Sequence, residues 1–327
     1  MLSTRFLSVA VLACALAAPA SAYKVGLVFD VGGRGDKSFN DSAFRGLERA
    51  KKELKIDFEF IEPSEAADRE NALRQFANGP FDMIIGIGFI FTDDVNRVAA
   101  AFPKKPFACV DYAVNPAKPM PANVVALKFR EQEASFLGGV VAALTSKTKS
   151  IGFIGGMDVP LIHKFEAGYK AGAAWADPKV KVLSAYAGVT PESFKDPSKG
   201  KELALSQIGQ GADVIYHASG STGLGVFEAA RDKKILAIGV DSDQYKDAPG
   251  FVLTSVTKQV DEAVFRTIKA GMAGKPPKGV MELGLKEGGV DYVYDADNKA
   301  LVPAAARAKA EEARKLIIAG KIKVPFK

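Results

Sequence analysis

Residues 23–41 read YKVGLVFDVGGRGDKSFND, and the rest of the chain repeats or completes this stretch. Lys24–Phe29 is a short apolar run with Gly26 inside it, and it stops at Asp30 before a loop holding Gly32, Gly33 and Gly35. A run of this kind fits a buried strand of a parallel sheet, whose two faces are both covered by helices. Beyond the loop, Ser38, Asn40 or Asp41 offers a helix cap. Phe44, Leu47 and Leu54 then share one helical face, while Arg45, Glu48, Arg49, Lys51 and Lys52 lie mostly elsewhere. Ligands of open α/β sheets bind at the carboxyl ends of the strands, so Asp30 and the glycine loop stand where a ligand would be met. Phe39 is an aromatic in a polar loop, with two readings: a ring for a ligand, or a hydrophobic staple onto Phe44.

The same unit recurs along the chain. Asp57–Ile61, Phe81–Phe89, Pro106–Asp111 and Val124–Phe129 read as strands, separated by helix patterns at Asp68–Asn78 and from Thr92, and followed by one at Glu131–Thr145. From Ser150 the alternation starts afresh: strands at Ser150–Gly155, Val180–Tyr186, Asp213–Ala218 and Ile235–Val240 alternate with helices at Leu161–Trp175, Ser198–Gln210 and Gly223–Lys233. Phe251–Ser255, Gln259–Gly271, Tyr292–Tyr294 and Pro303–Ala319 then complete both sheets. Two successive βαβ series imply two doubly wound α/β domains with a cleft between them.

At 327 residues, 48% hydrophobic and 25% charged, the chain is long enough for two domains. Met1–Ala22 carries one basic residue, Arg5, an apolar run from Phe6 to Ala18, and the small triplet Ala20-Ser21-Ala22. This is the pattern of a secretory signal peptide cleaved before Tyr23, and it places the mature protein in the periplasm. Val11-Leu12-Ala13-Cys14 also resembles a lipoprotein cleavage box, and lipid anchoring at Cys14 is the alternative. With the leader removed, Cys109 is the only cysteine, so neither an intrachain disulfide nor a cysteine metal cluster is available. The formal charge falls from +6 to +5, spread among acids, which does not suit a nucleic-acid binder. His163 and His217 are the only histidines, too few for a histidine-rich metal site.

Gly220-Ser221-Thr222-Gly223-Leu224-Gly225 lies between a strand and a helix, with Asp241 ending the next strand. The spacing resembles a dinucleotide fold, but the glycine order is not G-x-G-x-x-G. What carries over is physical: the glycines let backbone N–H groups approach a ligand, and a strand-end carboxylate can accept from two hydroxyls of a ribose. A tight turn beside a solvated Asp241 is the plainer alternative. No catalytic constellation stands out: His217 has no nucleophile elbow beside it, and His163 reads as a cap or cleft-wall residue.

Several segments resemble the basic membrane protein family, the substrate-binding components of bacterial ABC importers that include purine nucleoside receptors. They are DKSFNDSAFRG (36–46), GFIFTD (88–93), FREQEASFLGG (129–139), IGFIGG and PLIHKFEAGYKAG (within 151–172), SFKDPSKGKELA (193–204), DVIYHASGSTGLGVFEAA (213–230), IGVDSDQ (238–244) and VLTSVTKQVDEAV (252–264). The resemblance implies a type I periplasmic-binding-protein fold, two doubly wound parallel-sheet lobes joined by three crossovers. Lobe 1 is expected to span 23–128 plus 254–280, and lobe 2 to span 129–253 plus 281–327. It further implies a monomer that captures a purine nucleoside, delivers it to a membrane permease, and has no cofactor and no catalysis. On matching positions the base would stack on Phe39, with Phe165 or Phe194 as the second ring. Asp30 would face the base, and Lys37, Asp111, Asp241 and Lys258 would hold the ribose. Gly220 would let backbone approach the sugar, Phe89 and Phe91 would line the pocket, and Asn40 would stand beside Phe39. The residues independently favour a flat ligand: the chain has 21 phenylalanines, several at expected strand ends, whereas its single tryptophan, Trp175, sits in a helix where packing explains it. Two other readings stay open: the same fold holding a sugar, a flavin or a signal molecule, and a secreted nucleosidase or dehydrogenase.

Overall fold

The computed structural model describes residues 22–65 and 67–327. The leader sequence and Cys14 lie outside the described residues.

Among the described residues, two six-stranded sheets account for the strands. The first contains β1 (Lys24–Val28), β2 (Asp57–Ile61), β3 (Met83–Ile87), β4 (Phe107–Val110), β5 (Val124–Phe129) and β11 (Gly279–Leu283), in the order β11-β5-β4-β3-β1-β2, parallel throughout. The second contains β6 (Ser150–Met157), β7 (Lys181–Gly188), β8 (Val214–Ala218), β9 (Leu236–Asp241), β10 (Val252–Lys258) and β12 (Val290–Tyr292), in the order β12-β10-β9-β8-β6-β7. Only β12 runs antiparallel to its neighbour. The two orders match strand for strand, so β1, β3 and β4 of one lobe correspond to β6, β8 and β9 of the other.

Helices α1 (Phe39–Leu54), α2 (Asp68–Asn78), α3 (Thr92–Ala101) and α8 (Val260–Met272) cover the first sheet, α1 packing on α8. Helices α4 (Glu131–Thr145), α5 (Pro160–Ala176), α6 (Pro197–Gly209), α7 (Gly223–Lys233) and α9 (Ala304–Ile318) cover the second. The β1 sequence shows why the layers fit: all its residues but Lys24 are buried, and a Cβ at Gly26 would stand 2.4 Å from the Phe76 ring of α2. Along α1, Ala43, Leu47 and Ala50 are sealed, while Phe44 and Leu54 sit half-buried at the edges of that face.

The chain crosses between lobes three times: from β5 into α4, from β10 into α8, and from β11 towards β12. Val252–Lys258 belongs throughout to the second sheet, so the return to the first lobe follows Lys258 and does not come at residue 254. Gly279–Leu283 belongs to the first sheet, so the last crossing follows Leu283, three residues beyond the expected lobe end at 280. The crossovers are tied to one another. The Arg130 N–H donates to Leu283 O at 3.0 Å and the Gln259 N–H to Gly289 O at 2.8 Å, while the Arg130 guanidinium pairs with Glu133 at 2.7 Å and with Glu287.

Candidate functional site

The carboxyl ends of both sheets face one cavity with about 590 Å³ of empty space, part of it open to solvent. Each side chain arrives there for a local reason. Asp36, buried, accepts from the backbone N–H groups of Ser38, Asn40 and Asp41 at 2.9, 2.8 and 3.1 Å, and so satisfies the free donors that open α1. The cap is therefore Asp36, not Ser38, Asn40 or Asp41. Asn40, in the first turn, is released to accept from the Asp30 N–H at 3.1 Å and to donate to Asp36 at 3.2 Å. Phe39 then faces the cavity, and Phe44 packs instead on Phe29, Phe58 and Phe60, so the two rings form no staple.

Ten of the twelve residues singled out from the sequence line this cavity: Asp30, Phe39, Asn40, Phe89 and Asp111 from the first lobe, and Phe165, Phe194, Gly220, Asp241 and Lys258 from the second. Both candidate second rings are present. Phe165 is almost wholly buried and Phe194 half-buried. The Phe194 ring lies so close to Gly156 of β6 that a Cβ there would stand 2.4 Å away. Its loop is held by Ser221 Oγ donating to Phe194 O at 3.0 Å and Thr222 Oγ1 to Ser193 O at 2.7 Å. Gly220 has a φ of +56°, the left-handed conformation that glycine adopts without penalty.

Two residues are elsewhere. Lys37 is exposed, and its backbone N–H donates to Asp41 at 3.1 Å. Phe91 is sealed in the first lobe's core, its Cβ against Gly86, because the short 3-10 turn at Phe89–Phe91 points Phe89 towards the cleft and Phe91 inward.

Charge is concentrated at the strand ends. Asp111 and Asp241 end corresponding strands with φ values of +60° and +62°. Lys258, at the end of β10, reaches Asp111 Oδ2 at 2.6 Å and Glu131 Oε1 at 3.3 Å, and its Nζ stands 4.9 Å from the centre of the Phe39 ring and 5.7 Å from that of Phe165. Burial works against the Lys258 charge, but Asp111, Glu131 and Asp241 outweigh it and raise its pKa. Burial also raises the Asp111 pKa against the pull of Lys258. A lysine held charged by Asp111 requires an anionic Asp111, and the 2.6 Å contact favours the ion pair. Burial pushes Asp30 up to about 7 and Asp241 to about 6, the latter against the lowering effects of Lys258 and Ser38. Burial holds His217 down at about 4, so it is neutral at pH 7 and not a cation in the cleft.

Sequence reasoning missed Asp36, Leu161, Ile162, Ser219 and Glu131. The first four line the cavity, and buried Glu131 pairs with Lys164 and Lys258 behind it. Asp36 and Glu131 lie inside the segments quoted above, but Glu131 is buried against Lys164 and Lys258, both distant in sequence, and Asp36 is turned inward onto the backbone N–H groups of its own helix start. No group of His, Cys, Asp and Glu suited to a metal occurs among the described residues, and none of their helices is long and apolar enough to cross a membrane.

Two lobes built on parallel-dominated sheets, three crossovers and a cavity between the strand ends are the architecture of the type I periplasmic-binding fold. Residues 23–327 match the family described as ABC transporter substrate-binding protein PnrA-like, and the chain belongs to that family. A relative in Lactococcus lactis, named ABC transporter nucleoside-binding protein BmpA, is 36% identical over 326 residues, covering 93% of this chain and 89% of that one. An uncharacterized lipoprotein of Pyrococcus abyssi is 40% identical over 288 residues, 84% of this chain and 69% of its own length. The crystal structure of an ABC transporter solute-binding protein from Aeropyrum pernix K1 superposes with a TM-score of 0.84 at 29% identity, covering 93% and 94% of the two chains.

Proposed function

We propose that this substrate-binding protein captures purine nucleosides, without chemistry, and hands them as a monomer to its ABC permease. The observation that carries the reading is one cavity lined by Phe39 from the first lobe and by Phe165 and Phe194 from the second, with Asp111, Asp241 and Lys258 at the strand ends. Flat apolar rings suit a base, and strand-end carboxylates suit sugar hydroxyls. The name of the Lactococcus lactis relative supports the same ligand class. Lys37 and Phe91 drop out of the proposed ligand set because neither lines the cavity.

Native mass spectrometry of purified protein, followed by calorimetry with inosine, guanosine and adenosine, tests the ligand. Retention of a sugar or flavin, with no heat from any nucleoside, would favour the other solutes. Release of free base on prolonged incubation would replace the receptor by a nucleosidase.

For the amino terminus we propose cleavage before Tyr23 and release into the periplasm. The small-residue triplet lies directly before the first strand, which begins at Lys24. The lipoprotein name of the Pyrococcus relative keeps anchoring at Cys14 as the alternative. Intact mass of the exported protein separates them, since a diacylated species starting at Cys14 excludes the free form.

A further inference from the structure

Ser219 lines the cavity between Ala218 and Gly220, and a hydrogen-bonded chain behind it fixes which way its hydroxyl points. The chain starts at backbone. The Val240 N–H donates to the side chain of Gln244 at 2.8 Å, and only the amide oxygen can accept, so that atom is Oε1. The same oxygen lies 3.1 Å from His217 Nε2. An oxygen cannot donate, so Nε2 carries the imidazole proton. His217 is fully buried, flanked edge-on by the Phe227 ring at 5.0 Å, and neutral at pH 7, so it has one ring proton only. Nδ1 is therefore an acceptor, and the Ser219 hydroxyl, 3.3 Å away, is the group that donates to it. The ring cannot slide from this position, because Gly223 backs it so closely that a Cβ there would stand 2.0 Å from Cε1.

We infer that Ser219 is a specificity residue of the cleft that acts only as a hydrogen-bond acceptor, with His217 and Gln244 as the positioning residues that commit its proton. Ser219 thereby selects a ligand with a hydroxyl or N–H donor at that point of the wall. Its neighbours Gly220 and Asp241 stand at the end proposed for the sugar, so the donor it reads is a ribose hydroxyl. This rests on the nucleoside reading of the cavity.

Two measurements test it. In wild-type protein at pH 7, the nitrogen resonances of His217 should report a proton on Nε2 and none on Nδ1, with or without ligand. A proton on Nδ1 overturns the inference. Separately, calorimetry should compare inosine with its 2′-deoxy, 3′-deoxy and 5′-deoxy forms in wild type and Ser219→Ala. The variant should bind inosine about three- to tenfold more weakly, the range for one neutral hydrogen bond, and one of the three deoxy analogues should bind both proteins equally. A purely structural Ser219 would lower stability and leave each deoxy penalty unchanged, and that result overturns the inference while the nucleoside reading stands. If no ribonucleoside binds wild type, the reading itself falls and this inference with it.

Discussion

Ser38 Oγ donates to Asp241 Oδ2 at 2.6 Å across the line where the two lobes meet. The contact is reinforced on both sides: Ser242 Oγ donates to Ser38 O at 3.0 Å, and Arg45 reaches Ser242 Oγ at 2.8 Å. One oxygen of Asp241 thus takes part in joining the lobes, and the carboxylate keeps acceptor capacity on both oxygens for sugar hydroxyls. Ser38→Ala should weaken ligand binding by about 1.5–3 kcal/mol, the range for a hydrogen bond to a charged group. The loss should appear mainly as faster dissociation, because the lobes separate more readily. Stopped-flow release of bound nucleoside measures it; an unchanged off-rate would show that the contact does not hold the closed state.

Phe39→Ala should weaken nucleoside binding by about 1–3 kcal/mol, as expected for loss of one base–aromatic stack. The ring also covers Lys258, so Phe39→Leu is the needed control: it keeps the apolar cover and loses the flat face. Equal affinities for wild type and both variants in calorimetry would remove Phe39 from the ligand.

Lys258→Ala should destabilise the protein by about 3–5 kcal/mol, the usual cost of leaving buried charges without their partner. Asp111, almost completely buried, is the stranded group, while Glu131 keeps its pairing with Lys164. Denaturant unfolding of the ligand-free protein checks this. A loss below 1 kcal/mol would mean that Asp111 takes up a proton and tolerates the change.

The contributions of Asp30 and Asp241 to the stability of the ligand-free protein should fall as the pH rises from about 4 to about 7. Buried His217, held down at about 4, opposes them in part, since its contribution rises up to its unfolded value of 6.5. Burial raises Asp30 from 3.8 to about 7 and Asp241 to about 6, so in this window the folded state holds protons that the unfolded chain has released. The contribution is fully present below pH 3.8 and is lost as the pH passes through the folded values. Asp30→Asn should flatten the upper part of that slope in melting curves taken at successive pH values. An unchanged slope would place its origin in other groups.

The repeated βαβ pattern was legible because parallel strands buried on both faces leave unbroken apolar runs, as in Met83–Ile87 and Phe107–Val110. Strand β11 was not. Val280 is half exposed and Pro276-Pro277 stands just before the strand, so the segment shows neither a buried run nor a clean alternation. In the site, Phe39 and the strand-end acids were readable from position along the chain, whereas Phe89, Phe165 and Phe194 came from the family resemblance. Lys37 and Phe91 were misplaced because a one-residue step in a loop or a 3-10 turn reverses the direction of a side chain, and local sequence does not encode that step. Asp36 was overlooked because its role is to satisfy backbone donors, which leaves no compositional trace.

The two sheets share one strand order, and Asp111 and Asp241 end equivalent strands in the same left-handed backbone conformation. The side chains that meet them are not equivalent: a lysine grips Asp111 and a serine hydroxyl grips Asp241. A frame with one strand order in both lobes therefore has unlike ends, a buried lysine–carboxylate pair at one and a carboxylate held by a hydroxyl at the other. A guest entering such a frame cannot be turned end for end without changing what it touches, so closure is productive in one direction only, much as a keyed connector mates in a single sense although its shell is symmetrical.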